Sequence, residues 1–78
     1  MVLTPVEWKL LSELARNHRR VVVYDTLAQH VWESEFIDRG TIKMAVSRLR
    51  SKLCDHHLGA TMIRSHRGLG YSLALPAA

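Results

Sequence analysis

The side chains best able to do chemistry are crowded into one segment of the chain. Between residues 41 and 54, Thr41, Lys43, Met44, Ser47, Arg48, Arg50 and Ser51 alternate with an apolar series, Ile42, Val46, Leu49 and Leu53, spaced i, i+4, i+7 and i+11. At about 100° per residue that series is one stripe of a helix, and Met44, Ser47, Arg48 and Ser51 fall on the opposite face, flanked by Thr41, Lys43, Arg50 and Lys52. Short hydroxyls allow close approach to a partner, and long cations supply charge and hydrogen-bond donors. That combination suits phosphate oxygens and base edges. A second cation, Arg67, stands beside Gly68 in a segment that reads as a hairpin connection. An arginine at such a tip suits a narrow groove, the bland alternative being a solvated turn residue.

Two other chemistries fit poorly. Cys54, His56, His57 and His66 are metal-ligating types, but a structural zinc site needs two spaced pairs, and adjacent histidines on a helix point apart. A histidine-rich helix end is the simpler account. No glycine-rich phosphate loop follows a strand, and no Ser/His/Asp or paired-carboxylate arrangement has suitable spacing. The sequence therefore points to no catalytic residue, no metal and no cofactor.

Several elements must hold these residues. Thr4, Pro5 and Glu7 form a helix start with a Thr-x-x-Glu capping box, followed by Trp8, Leu11, Leu14 and Ala15 at helical spacing, with Leu10 widening the stripe. Trp8 and Trp32 are expected in the core. Asn17-His18 ends the helix, and Arg20-Val21-Val22-Val23 favours a short strand. A second helix begins near Tyr24-Asp25, with Leu27, Ala28, Val31 and Trp32 inward and Asp25 or Thr26 sharing the cap. Residues 33–40 read as a loop carrying Phe36 and Ile37, and the long third helix starts near Thr41. Gly59 marks the finish of that helix and its turn. Residues 62–65 and 69–73 are β-prone, joined by His66-Arg67-Gly68, and Pro76 ends the ordered chain.

Composition sets the bounds. With 78 residues and 47% hydrophobic content, there is room for one domain with one modest core. No apolar run could span a bilayer, no secretory signal opens the chain, and one cysteine points to a reducing, cytoplasmic setting. Charge is polarised. Residues 1–38 carry six acids against four bases (net −2), whereas residues 39–78 carry seven bases against one acid (net +6). That implies a polyanionic partner; charge alone leaves nucleic acid, a membrane surface and a merely solvated face open. Arg16, Arg19 and Arg20 precede the short strand and read as solvated.

The ordered motifs narrow this. Leu3-Thr4-Pro5-Val6-Glu7-Trp8-Lys9-Leu10-Leu11, then Val21-Val22 with Leu27 and Val31-Trp32, resemble the opening blocks of the OmpR/PhoB-type effector domain. Thr41-Ile42 with Val46 to Leu53 resembles its recognition helix, and Ile63 to Tyr71 its wing. The four blocks stand in order and cover nearly the whole chain. The fold implied is α+β, a winged helix-turn-helix of three helices and a C-terminal β-hairpin wing, with the family's N-terminal sheet largely missing.

The resemblance implies a cytoplasmic, nucleoid-associated bacterial transcription regulator that binds double-stranded DNA. It would be the output part of a two-component response regulator in a phosphorelay. Residues 1–78 would be one winged-helix domain, a fragment of a longer regulator, because the first helix otherwise exposes apolar surface. By position, Lys43, Met44, Ser47, Arg48, Arg50 and Ser51 become groove or backbone contacts, Trp32 and Thr41 phosphate contacts, and Arg67 with Gly68 the minor-groove wing. Glu33, Glu35, Phe36, Asp38 and Arg39 would form a loop facing RNA polymerase, and a dimer on tandem half-sites is the family's habit. Departures mark this chain. Gly40 stands where arginine is common, with Arg39 displaced by one; Lys43 replaces an acid, Ala45 a histidine, and His66 a small apolar residue. The competing class is a winged-helix interaction module whose basic face meets an acidic protein.

Overall fold

The computed structural model describes residues 2–55 and 62–74, the side chains of residues 54 and 55 excepted. His56, His57, Gly59 and Pro76 lie outside those residues, and so does the side chain of Cys54, so the readings placed on them are outside the described structure. Helix α1 (Pro5–Arg16) leads to β1 (Val22–Val23) and α2 (Tyr24–Leu27), which runs directly into a π-helical turn (Ala28–Trp32). Helix α3 (Arg39–Asp55) follows, then β2 (Ile63–His66) and β3 (Gly70–Leu73). The three strands form one antiparallel sheet in the order β1-β3-β2. Three helices and a wing are thus in place.

The helix start is built as its sequence dictates. The Thr4 Oγ1 accepts from the Glu7 N–H at 3.2 Å, and Glu7 Oε1 accepts from the Thr4 N–H at 2.7 Å, which satisfies two donors that the helix cannot pair itself. Asn17 closes α1 by donating its side-chain amide to the Glu13 carbonyl at 2.9 Å. The inward face, however, is Glu7, Leu10, Glu13 and Leu14, and Trp8 is 53% exposed. The expected core role of Trp8 is therefore corrected, and Ala15 is exposed with it. The stripe is wide enough for several helix rotations, and the inward turn of Glu7 and Glu13 toward cationic partners selects this one.

Leu10, Leu14, Leu27, Val31, Ile42, Val46, Leu49 and Leu53 pack with Ile63, Tyr71 and Leu73 into a single core. The α3 stripe read from spacing is buried throughout, while Trp32 is only half-buried against the core. Two boundaries move. Helix α3 starts at Arg39, not near Thr41, because the Asp38 carboxylate accepts from the Thr41 N–H at 2.9 Å and acts as the cap. Arg39 and Gly40 thereby leave the loop for the first helical turn. The hairpin turn is Arg67-Gly68-Leu69, one residue later than read, with Gly68 at φ +77°. Gly70 has no room for a side chain: a Cβ there would lie 2.0 Å from the Val22 carbonyl oxygen.

The expected cap of α2 is also replaced. Val23 occupies the cap position and offers no side-chain acceptor. Instead the Tyr24 N–H donates to the Leu69 carbonyl of the hairpin turn at 3.1 Å. The start of α2 is therefore fastened to the wing.

Candidate nucleic-acid interface

With Ile42, Val46, Leu49 and Leu53 turned inward, the far side of α3 is left to solvent. Thr41, Lys43, Met44, Ser47, Arg48 and Ser51 are all exposed there. Trp32, Thr41, Met44, Arg48 and Ser51 line one open groove of about 960 Å³ between α3 and the start of α1. Lys43 and Ser47 lie outside that lining, on the other flank of α3. The Thr41 hydroxyl is partly occupied, 3.4 Å from the Asp38 carboxylate. At the wing, Arg67, Gly68 and Leu69 are exposed.

Not every base of α3 is available to a partner. Lys52 Nζ lies 2.6 Å from Glu7 Oε1 and donates to the Val2 carbonyl at 3.2 Å, which ties the end of α3 to the start of α1. Glu7 is buried, and burial by itself would raise its pKa; Lys52 and the Thr4 hydrogen bonds outweigh that and hold it below the usual carboxylate value of 4.5. Arg50 is half-buried and donates to the Ile63 carbonyl at 3.0 Å and to Ser65 Oγ at 3.1 Å. This arginine, read from the sequence among the outward cations, is a strap between α3 and β2. Lys43, Arg48, Arg64 and Arg67 have no hydrogen-bonded or ionic partner among the described residues.

The loop residues divide similarly. Glu33, Glu35, Phe36 and Asp38 are exposed, with Phe36 at 91%, and Glu33 adopts the left-handed conformation that ends the π-helical turn. Arg39 belongs to α3, and its guanidinium lies 4.7 Å from the centroid of the Tyr24 ring. His66 Nε2 sits 2.7 Å from Ser72 Oγ across the hairpin. Among the described residues no cluster of metal-ligating side chains is formed, and no helix is long and apolar enough to cross a membrane.

Sequence reasoning missed the cross-links. Besides Glu7–Lys52 and Arg50–β2, the Glu13 carboxylate lies 2.8 Å from His30 Nδ1 and joins α1 to the π-helical turn. The only available signal was an acid falling where an apolar residue would be expected.

A helix carrying its polar face outward beside a hairpin fastened to it defines a winged helix-turn-helix. Residues 1–73 match the family model described as "Transcriptional regulatory protein, C terminal". The chain belongs to this family, the OmpR/PhoB-type C-terminal DNA-binding domains, which is not an enzyme family. It is 39% identical over 75 residues to the transcriptional regulatory protein AfsQ1 of Streptomyces coelicolor, covering 95% of this chain and 33% of that protein. It is 37% identical to the alkaline phosphatase synthesis transcriptional regulatory protein PhoP of Bacillus subtilis, covering 95% of this chain and 31% of that one. The chain thus spans about a third of the length of these relatives. Among solved structures, the AdeR DNA-binding domain in complex with an intercistronic region superposes with a TM-score of 0.87 at 29% identity, over 100% of this chain and 81% of that one. The DNA-binding domain of CpxR from E. coli gives 0.82 at 34% identity, over 96% and 74%.

Proposed function

We propose that the chain binds double-stranded DNA for transcription regulation, with α3 in the major groove and Arg67 in the adjacent minor groove. The observation that carries this reading is the fastening of the wing to α3. Arg50 bridges α3 and β2, while Tyr24 joins the hairpin turn to the start of α2, so two exposed cationic elements are held beside one another. Major grooves admit a helix, and narrow minor grooves attract an arginine. Lys43, Ser47, Arg48 and Ser51 would face base edges and phosphates, with Met44 as an apolar contact, Trp32 and Thr41 as phosphate donors, and Gly68 giving the tip its close approach. Arg50 acts through its hold on the wing.

In this reading the chain is the output part of a longer two-component response regulator in the bacterial cytoplasm, associated with the nucleoid. Glu33, Glu35, Phe36 and Asp38 form its surface toward RNA polymerase, and two copies occupy tandem half-sites. Support comes from the family, from the DNA bound in the AdeR structure, and from the exposed, mostly acidic loop that carries Phe36. The test is a salt titration of affinity for a DNA duplex. With about five phosphates neutralised, log K should fall against log salt with a slope of roughly −4 to −5. A flat response would instead favour an acidic protein as the partner of the basic face.

A further inference from the structure

One residue of the hairpin answers to no role given so far. His66 ends β2 immediately before Arg67, at a position where the resemblance places a small apolar residue. Ile63, Tyr71 and Leu73 turn into the core, so Arg64, His66 and Ser72 share the other face of the sheet. There the imidazole is half-buried, and its Nε2 lies 2.7 Å from the hydroxyl of the buried Ser72. A hydroxyl can donate to an unprotonated ring nitrogen or accept from a protonated one, so this contact holds the ring in either charge state. What a proton changes is the charge of the wing. It also makes both ring nitrogens donors, and Nδ1 has no partner among the described residues.

The surroundings of His66 are cationic. Arg64 stands two residues before it on the same face and Arg67 follows it, both exposed. Strand β3 offers it Ser72 and Gly70, and β1 offers Val23, none of which titrates. No ion pair or hydrogen bond joins His66 to an acid among the described residues. A positive ring there therefore lacks a counter-charge that the phosphates flanking a groove entered by Arg67 would supply. Histidine is the side chain that ordinarily changes charge between about pH 5 and pH 8. We infer that His66 is a proton-dependent DNA contact, which when charged makes the wing a stronger ligand for the phosphates beside Arg67. This rests on the DNA-binding reading above. Phosphate beside the ring favours its charged form, so binding takes up a proton and tightens as the pH falls.

The test titrates the intact 78-residue chain onto a labelled duplex over a range of salt, at about pH 5.5 and about pH 7.5, with thermal melts at both. One added phosphate contact should steepen the salt slope by about 0.9 at the lower pH and tighten binding roughly 5- to 10-fold near 0.1 M salt. His66→Gln keeps a hydrogen-bonding group for Ser72 but no charge, and should lose most of that difference. His66→Arg, charged at both pH values, should bind at the higher pH as the parent chain binds at the lower. Four other histidines also gain charge on acidification, so a response in His66→Gln as large as the parent chain's would overturn the proposal. Should His66→Gln fail to melt cooperatively, His66→Arg decides: binding at the higher pH no tighter than the parent chain's overturns the contact. A parent chain that binds with strong salt dependence but equally at both pH values would overturn it too, and leave the DNA-binding reading standing. A parent chain that binds the duplex at neither pH would overturn the DNA-binding reading itself.

Discussion

Arg50→Met isolates the strap between α3 and the wing. Methionine preserves much of the arginine stem and its packing but removes the guanidinium that donates to the Ile63 carbonyl and to Ser65 Oγ. Hydrogen bonds from a charged donor contribute about 1.5–3 kcal/mol each when well shielded. Here the arginine is half-buried and Ser65 is exposed, so about 1 kcal/mol each is the better figure. The substitution also relieves one cost, because the Nε of Arg50 is buried with no acceptor among the described residues. The net expected loss is about 1–2 kcal/mol. Unfolding entropy near 2.1 cal/mol/K per residue gives about 0.16 kcal/mol/K for a chain of 78 residues, so the melting temperature should drop by roughly 6–12 °C. Circular dichroism in the far ultraviolet follows this directly. Arg50→Lys should recover only part of the loss, since one ammonium cannot match the planar fork. A melting temperature unchanged within about 2 °C would refute the strap. A salt slope flattened by about 0.9 in that same variant would mark Arg50 as a free phosphate contact.

Other outcomes follow from the same geometry. Arg67→Ala should weaken binding most on duplexes with AT-rich, narrow minor-groove flanks; an equal loss on every sequence, measured by competition, would reduce it to a phosphate contact. Glu7 carries a lowered pKa, so its contribution to stability is complete above about pH 4.5, the unfolded value, and is lost as the pH falls through the lower folded value. Glu7→Gln should be less stable at neutral pH and lose less of its melting temperature on acidification below that point; parallel curves for the two proteins would disprove the assignment. Gly70→Ala should cost about 3 kcal/mol or more, because backbone at Val22 blocks the added carbon, and unchanged thermal melts would show that the sheet yields there.

Much of the interface is written into local sequence. Thr4 and Glu7 are three residues apart and cap α1 whatever packs against it, and the spacing of Ile42, Val46, Leu49 and Leu53 fixes which side of α3 faces solvent. Gly68 announces a turn because positive φ is nearly strain-free only for glycine. Such signals act within a turn or two of chain and survive without tertiary context.

What the tertiary structure decided is which cations remain free. Lys43, Arg50 and Lys52 look alike in the sequence, yet Lys52 meets an acid 45 residues away and Arg50 crosses to β2, while Lys43 has no partner among the described residues. The rotation of α1, which exposes Trp8 and buries Glu7 and Glu13, was settled the same way, as was the capping of α2 by the hairpin turn. Periodicity defines a stripe but not its centre. The centre depends on how helices cross and where strands register, and those are properties of the assembled core.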